Sequence, residues 1–227
     1  MKEWLLYPTI SADMDFQMAL DELLFRRMEK GEDSETLPIF RFFYSSGPWV
    51  TLGYSFKEGL PESVTAVHKR KYPVCRRMTG GGFVLHGQDL IFSLVARKSD
   101  DESFKTVRDS YTKIHEAVRR GFQSFGYKID FFDSSKEWIQ GKDCFRYPIE
   151  TDLVYKGRKV AGGSQKRSAG VLLHQESIQG PRGFDMTSCE EKMIEGFEQV
   201  FDMKIRKATV HPVLFQQAEQ LAEIKYR

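Results

Sequence analysis

The chain of 227 residues is poor in cysteine, holding only Cys75, Cys144 and Cys189. An odd, scattered set without a CxxC pair argues against a disulfide framework and against a zinc site, and it fits a reducing cytoplasm. Net charge is scarce too. The 34 Lys and Arg stand against 32 Asp and Glu, leaving a formal +2, too little to argue for nucleic acid by itself. No apolar run approaches the roughly 20 residues of a membrane span. The opening MKEWLLYPTISADMDF lacks the long apolar core and small-residue cleavage site of a signal peptide. Internal repeats and low-complexity linkers are missing. What remains is a globular composition, 41% hydrophobic, which is enough for a core. At roughly 150 residues per domain, the length implies one large domain or one plus a small appendage.

Periodicity places the elements. Residues 13 to 30 read as a helix with Phe16, Leu20, Leu23 and Arg27 on one face and Gly31 as its stop. PIFRFFYS at 38–45 and WVTLGY at 49–54 have strand composition, with Ser46-Gly47-Pro48 as the turn between them. LIFSLVA at 90–96 is a further buried strand. The clearest helix spans 104–125, where Val107, Tyr111, Ile114, Val118, Phe122 and Phe125 step by three or four. Ser103 is the candidate cap at its start and Gly126 at its end. KIDFF at 128–132 returns as a strand, and 133–150 is polar and irregular. DLVYKGRKVAGG reads as a hairpin turning at Lys156-Gly157. GVLLHQESI at 170–178 is another strand, and helices follow near 187–201 and 212–225. This order favours α+β, with a mixed, largely antiparallel sheet.

Two segments are bare of side chains. RRMTGGGFVLHG, at 76–87, puts three glycines between arginines and a histidine. Exposed N–H groups with Arg76 and Arg77 beside them could cradle an anion. A Walker loop is absent, because Phe83 follows the glycines instead of Lys-Ser/Thr. The dinucleotide pattern fails as well, because a strand and not a helix comes next. The plainer alternative is a bulge in a strand pair with no ligand. The second segment, VYKGRKVAGGSQKRSAGVLLHQESI at 154–178, repeats the theme of bare backbone beside basic residues.

Together the two segments resemble the superfamily of lipoate-protein ligases, lipoyl/octanoyltransferases and biotin ligases. RRMTGGGFVLHG is similar to its RRxTGGGxVxHD motif, and GRKVAGGSQKRSAGVLLHQESI to its second motif. QMALDELL at 17–24 and RFFYSSGPWVTLGYSF at 41–56 match its N-terminal helix and first strands. The resemblance implies an α+β catalytic domain over 1–227 and a tunnel for an eight-carbon acyl chain beside the glycines. About seven methylenes at ~0.8 kcal/mol each would hold such a chain by roughly 5–6 kcal/mol. It also implies a lysine, here Lys159, aimed at the acyl carbonyl to stabilise developing negative charge. Arg77, Thr79, Gly80, Gly81, Gly82, His86, Gly162 and His174 would line the substrate site.

The superfamily divides by chemistry. Ligases activate free lipoate with ATP and Mg; transferases move octanoyl from acyl carrier protein to a lysine of a lipoyl-accepting domain. That domain would be glycine cleavage H protein or an E2 subunit. One transferase branch carries a cysteine just before the lysine hairpin, in a CFxxPSxYEL-like context. DCFRYPIETDLVYKGRKV at 143–160 is similar in Cys144-Phe145 and Pro148, and departs at Ile149, Thr151 and Asp152. Cys144 is therefore the expected nucleophile, with Lys159 favouring its thiolate. No tightly bound cofactor is then expected, with octanoyl or lipoyl as substrate, and ATP/Mg only for a ligase. Cys75 reads as buried packing and Cys189 as a bystander at a helix start. About fifty residues follow the second motif, too few for the accessory domain that many ligases carry.

The sequence also departs from the pattern. Asp89 stands three places after His86 instead of one. Gly163-Ser164 replaces the usual Ser-Ala. His174-Gln175-Glu176 replaces His-Gly, with the histidine one place early, and a buried Glu176 would need a partner. His68, His115 and His211 read as structural or surface residues. Basic residues near the motifs, Lys69, Arg70, Lys71, Arg158 and Lys166 among them, would steer an acidic carrier. They also admit a binding module that stacks nucleic acid on Phe42, Phe43 and Tyr44, or an inactive relative that only binds.

Overall fold

The computed structural model describes residues 2–32, 37–57, 72–133, 135, 143–186 and 188–226. In chain order the elements are β1 (Lys2–Ala12), α1 (Met14–Lys30), β2 (Ile39–Ser45), β3 (Trp49–Leu52), β4 (Val74–Arg76), β5 (Phe83–His86) and β6 (Leu90–Arg97). They continue with α2 (Val107–Ser124), β7 (Asp130–Phe131), β8 (Leu153–Tyr155), β9 (Arg158–Ser168), β10 (Val171–Ile178), α3 (Cys189–Phe201), β11 (Met203–Lys207) and α4 (Pro212–Leu221), with a wider π turn at Ala222–Tyr226.

Eight strands form one sheet in the order β11-β1-β2-β6-β10-β9-β8-β7. The two pairings of β1 are parallel and the rest antiparallel, so the sheet is mixed and largely antiparallel, as expected. Alternation along β2 shows how it is covered. Phe40 and Phe42 point into one apolar layer with Phe92, Ile114, Val118, Phe122, Met193 and Phe197. Ile39 and Phe43 point into the other, with Leu20, Phe25, Ile91, Val95 and Leu173. Helices α2 and α3 therefore pack on one face and α1 and α4 on the other. Strands covered on both faces read as nearly continuous apolar runs, which is why FRFFY and LIFSLVA stand out. Phe42, Phe43 and Arg41 are wholly buried, so they offer no stacking surface to nucleic acid.

Several sequence expectations need correction. Helix α2 begins at Val107, capped by the Thr106 side chain, which accepts from the Asp109 N–H. Ser103 instead lies in a short 3₁₀ turn, Glu102–Lys105. Strand β3 stops at Leu52 and β7 holds two residues. The glycine segment is not a bulge in a strand pair. It is the loop joining β4 to β5, which flank β3 in a separate three-stranded sheet. His68 and Lys69 to Lys71 lie outside the described residues. No helix among the described residues is long and apolar enough to cross a membrane.

Candidate active site

The glycine loop is held by its neighbours' backbone and by one arginine. Gly81 has φ +94°, a region that favours glycine. Its carbonyl lies so close to Gly53 that a Cβ there would overlap it. Arg77 is buried and donates to the Gly80 carbonyl (2.7 Å), the Gly82 carbonyl (3.3 Å) and the Thr51 carbonyl (3.2 Å). It is thus the brace of the loop. Burial pushes its ordinarily very high pKa down, and the Cys144 sulfur, a hydrogen-bond partner, opposes that. Thr79 anchors the loop's start from behind. Its hydroxyl donates to Gln175 Oε1 (2.7 Å) and accepts from Ser164 Oγ (2.8 Å).

Cys144 arrives on a tight turn. Asp143 Oδ1 accepts the N–H groups of Phe145 (3.0 Å) and Arg146 (3.2 Å), and the Cys144 N–H donates to the Phe83 carbonyl on β5 (3.3 Å). This sets the sulfur 3.6 Å from where a Cβ on Gly81 would stand. Lys159 comes from the β8–β9 hairpin, whose turn at Lys156 (φ 49°) and Gly157 (φ 76°) has both central residues left-handed, as a type I′ turn requires. Its side chain lies over Gly162, where a Cβ would overlap Lys159 Cε. The ammonium donates to Asp152 Oδ2 (2.8 Å) and sits 5.3 Å from the Phe145 ring centroid. Lys159 is thus turned to Asp152, while Arg77 supplies the cation at the sulfur.

These groups share one cavity of about 270 Å³. Met14, Met18, Val84 and Ile91 give it an apolar wall; Arg77, Cys144, Asp152 and Lys159 give it a polar one. Gly81, Gly82, His86 and Gly162 also border it, whereas Thr79, Gly80 and His174 do not. His86 is fixed on both sides. Its Nδ1 donates to Asp89 Oδ2 (2.7 Å) and its Nε2 lies 2.8 Å from Thr51 Oγ1. Burial works against the Asp89 charge, but His86 and the Ser177 hydroxyl outweigh it and hold the carboxyl below its ordinary range. The displaced Asp89 therefore still reaches its histidine.

Sequence reasoning missed Asp152 as the partner of Lys159 and Met14, Met18 and Ile91 as cavity wall. The hairpin register was the available signal for Asp152, because the strand it precedes must fold back beside Lys159. His115, read as structural or surface, is fully buried and donates from Nε2 to Glu176 Oε2 (2.9 Å). Glu176 Oε2 thus has the partner its burial demands, whereas Glu176 Oε1 is buried without a hydrogen bond among the described residues.

The three cysteines differ in reach. Burial pushes Cys75 and Cys189 up to about 12, so both stay protonated near neutral pH, and the thiol form is the unreactive one. Cys144 is half-buried and borders the cavity. Limited iodoacetamide at pH 7–8 is expected to label Cys144 well before the other two, as read by peptide mapping. Parallel labelling of Cys75 or Cys189 would refute this ordering.

Comparison with known proteins identifies the family and the fold. The chain matches the lipoyl protein ligase A/B catalytic domain over residues 13–179. It is 34% identical over 183 residues to the octanoyltransferase LipM of Bacillus subtilis, covering 77% of this chain and 64% of that protein. It is 30% identical over 177 residues to the LipM of Oceanobacillus iheyensis, covering 78% and 64%. The matches thus span just under two thirds of the length of these relatives. Its fold superposes on lipoate-protein ligase A bound with ATP, at TM-score 0.76, 20% identity and 98% and 95% coverage. It also superposes on a chain from a structural analysis of a bi-partite lipoate protein ligase and its E2 lipoyl domain from Thermoplasma acidophilum, at 0.71, 19%, 98% and 92%. The matched domain covers more than half of the sequence and both of its glycine motifs, and the chain belongs to the lipoyl protein ligase A/B catalytic-domain family.

Proposed function

We propose that this chain transfers an octanoyl group in lipoate assembly, from acyl carrier protein to a lysine of a lipoyl-accepting domain, through a thioester on Cys144. The observation that carries the reading is the Cys144 sulfur. It sits against Gly81 and Arg77 in the cavity that Lys159 also borders and that Met14, Met18, Val84 and Ile91 make partly apolar. The octanoyltransferase relatives support the same substrate class.

The chemistry follows from these positions. The Cys144 thiolate attacks the octanoyl carbonyl of the carrier thioester. The carrier thiolate leaves and takes up a proton, so one thioester replaces another at little free-energy change and no ATP is consumed. The amine of the acceptor lysine then attacks the Cys144 thioester. An amide forms, the Cys144 thiolate leaves, and the ammonium proton passes to solvent. In both steps negative charge grows on the acyl oxygen. Lys159, oriented by Asp152, supplies the positive charge that meets it. Arg77 holds the loop carbonyls away from that oxygen and offsets charge on the sulfur. The apolar wall holds the methylenes by roughly 5–6 kcal/mol.

The test is intact-protein mass after incubation with octanoyl-acyl carrier protein without ATP. An octanoyl adduct that hydroxylamine removes is the expected result. Absence of any adduct, with acylation of the target that requires free lipoate and ATP, would overturn the thioester route in favour of a lipoyl-adenylate ligase. Lys159 and the same glycines would serve that chemistry.

A further inference from the structure

We propose that Glu176 is a positioning residue: through His115 it fixes the Thr151 carbonyl, and with it the 143–152 loop that presents Cys144 and Asp152. The argument starts from register. Glu176 of β10 stands directly opposite Gly163 of β9. A Cβ on Gly163 would overlap Glu176 Oε2, and it would also stand 2.5 Å from the His174 ring. The missing side chain at 163 is therefore what makes room for the carboxylate at 176. The two residues face each other across the strand pair.

Proton positions around Glu176 follow from its neighbours. Arg167 can only donate, and its Nη1 lies 2.9 Å from Gln165 Oε1. The Gln165 amide nitrogen must then face His174, and it donates to Nδ1 at 3.1 Å. The His174 proton is thereby placed on Nε2, which donates to Glu176 Oε2 at 2.8 Å. On His115, Nδ1 donates to the Thr151 carbonyl, and Nε2 donates to the same Glu176 Oε2. Both nitrogens of His115 carry protons, so the ring is an imidazolium paired with the Glu176 carboxylate. His174 stays neutral. Titration agrees. Burial opposes charge on His115, but Glu176 outweighs it and raises the ring's pKa, whereas burial prevails at His174 and lowers it. Burial likewise opposes the Glu176 charge, and His115 and His174 together hold its carboxyl well below its ordinary range.

By composition, His115, His174 and Glu176 could hold a divalent ion. A metal needs a lone pair on each Nε2, and here both carry protons. The cluster is a charged clamp instead. His115 spans from β10 to Thr151, and Thr151 directly precedes the Asp152 that holds Lys159. The charged and titratable groups facing His115 are Glu176 and His174 from β10, Tyr111 from its own helix and Asp152 from the loop; Lys159 of β9 neutralises Asp152. Because the folded state raises the His115 pKa, the clamp is complete below about pH 6.5. It is lost as pH rises through the raised value.

Amide hydrogen exchange of the wild type, Glu176→Gln and His115→Gln tests this. In both variants, amides of 143–152 should exchange about tenfold faster while those of β6 and β10 hold. Glutamine at 176 keeps the shape and removes the charge, so its loop protection should vanish at lower pH than in wild type, after correction for intrinsic exchange. His115→Gln should abolish that pH step and serves if Glu176→Gln does not fold. The kinetic arm rests on the octanoyl-transfer reading and uses His115→Gln, because Glu176 itself borders the cavity: kcat should fall about tenfold with KM for the octanoyl carrier unchanged. Unchanged loop protection in the variants would overturn the proposal. So would equal loss across the whole sheet, or a stoichiometric metal ion whose removal reproduces the Glu176→Gln behaviour. Faster loop exchange in variants of a wild type that transfers no octanoyl would refute the octanoyl reading and leave the positioning role standing.

Discussion

Exchange of Cys144 for serine is expected to cut ATP-independent octanoyl transfer by at least about 1,000-fold, the scale on which loss of a covalent nucleophile registers. Serine fits the space, so the fold and cavity should survive. Its hydroxyl, unlike a thiol, is not ionised near neutral pH. The oxygen ester it would form also lies downhill from the carrier thioester and would resist the second step. Single-turnover transfer from octanoyl-acyl carrier protein to a lipoyl domain measures the effect, with thermal unfolding to show that the variant is intact. A Cys144→Ser variant that transfers at the wild-type rate would remove the thioester step. Retained acylation dependent on ATP and free lipoate would assign Lys159 and the glycine loop to ligase chemistry.

The second large effect is expected from Asp21→Ala, about 3–5 kcal/mol of lost stability. Asp21 is completely buried in α1 and joins three elements. Its Oδ1 accepts from Arg41 Nε of β2 (2.8 Å) and Ser93 Oγ of β6 (2.6 Å). Its Oδ2 accepts from Gln175 Nε2 of β10 (2.6 Å). Arg41 is buried as deeply and, when Asp21 is removed, keeps its bonds to Gln17 and its place over the Phe43 ring but loses its carboxylate. An uncompensated guanidinium then remains in the core, which costs more than the pair itself contributed. The damage also travels, because Gln175 Oε1 is the acceptor that holds Thr79 at the start of the glycine loop. Thermal unfolding should show a midpoint lower by roughly 6–20 °C, and Asp21→Asn should lie between this variant and wild type. A midpoint within a degree or two of wild type would show that Asp21 is not the hub.

The elements legible from sequence were those with one strong period. Helix α2 has apolar residues at 114, 118 and 122, strands β2 and β6 are apolar on both faces, and the Lys156-Gly157 turn announces its own hairpin. Strand β1 was invisible because KEWLLYPTISA keeps no clean alternation, and its register shifts between Tyr7 and Ile10. Strand β11 is short and half-exposed, and it is a strand only because β1 lies beside it. The glycine loop and Lys159 were readable as motifs. Among their partners, Asp152 had the hairpin register as its signal, whereas Gly53 and His115 reach the site by close approach, which spacing along the chain does not encode. Glu176 illustrates the limit. The sequence marks both it and Gly163 as departures from the motif it resembles, and only the strand pairing reveals that the two face each other.

Glu22 of α1 is fully buried and is met by Lys225 Nζ at 2.6 Å and by the Tyr226 hydroxyl. The tyrosine lies 204 residues further along the chain. During synthesis at about 5–20 residues per second, roughly 10–40 s separate the emergence of these partners. Through that interval α1 carries an acid facing an unfinished core, and β1 lacks β11 on its outer edge. The face of the sheet that holds Met14 and Met18 can therefore close only after Lys225 and Tyr226 have been made and have reached Glu22.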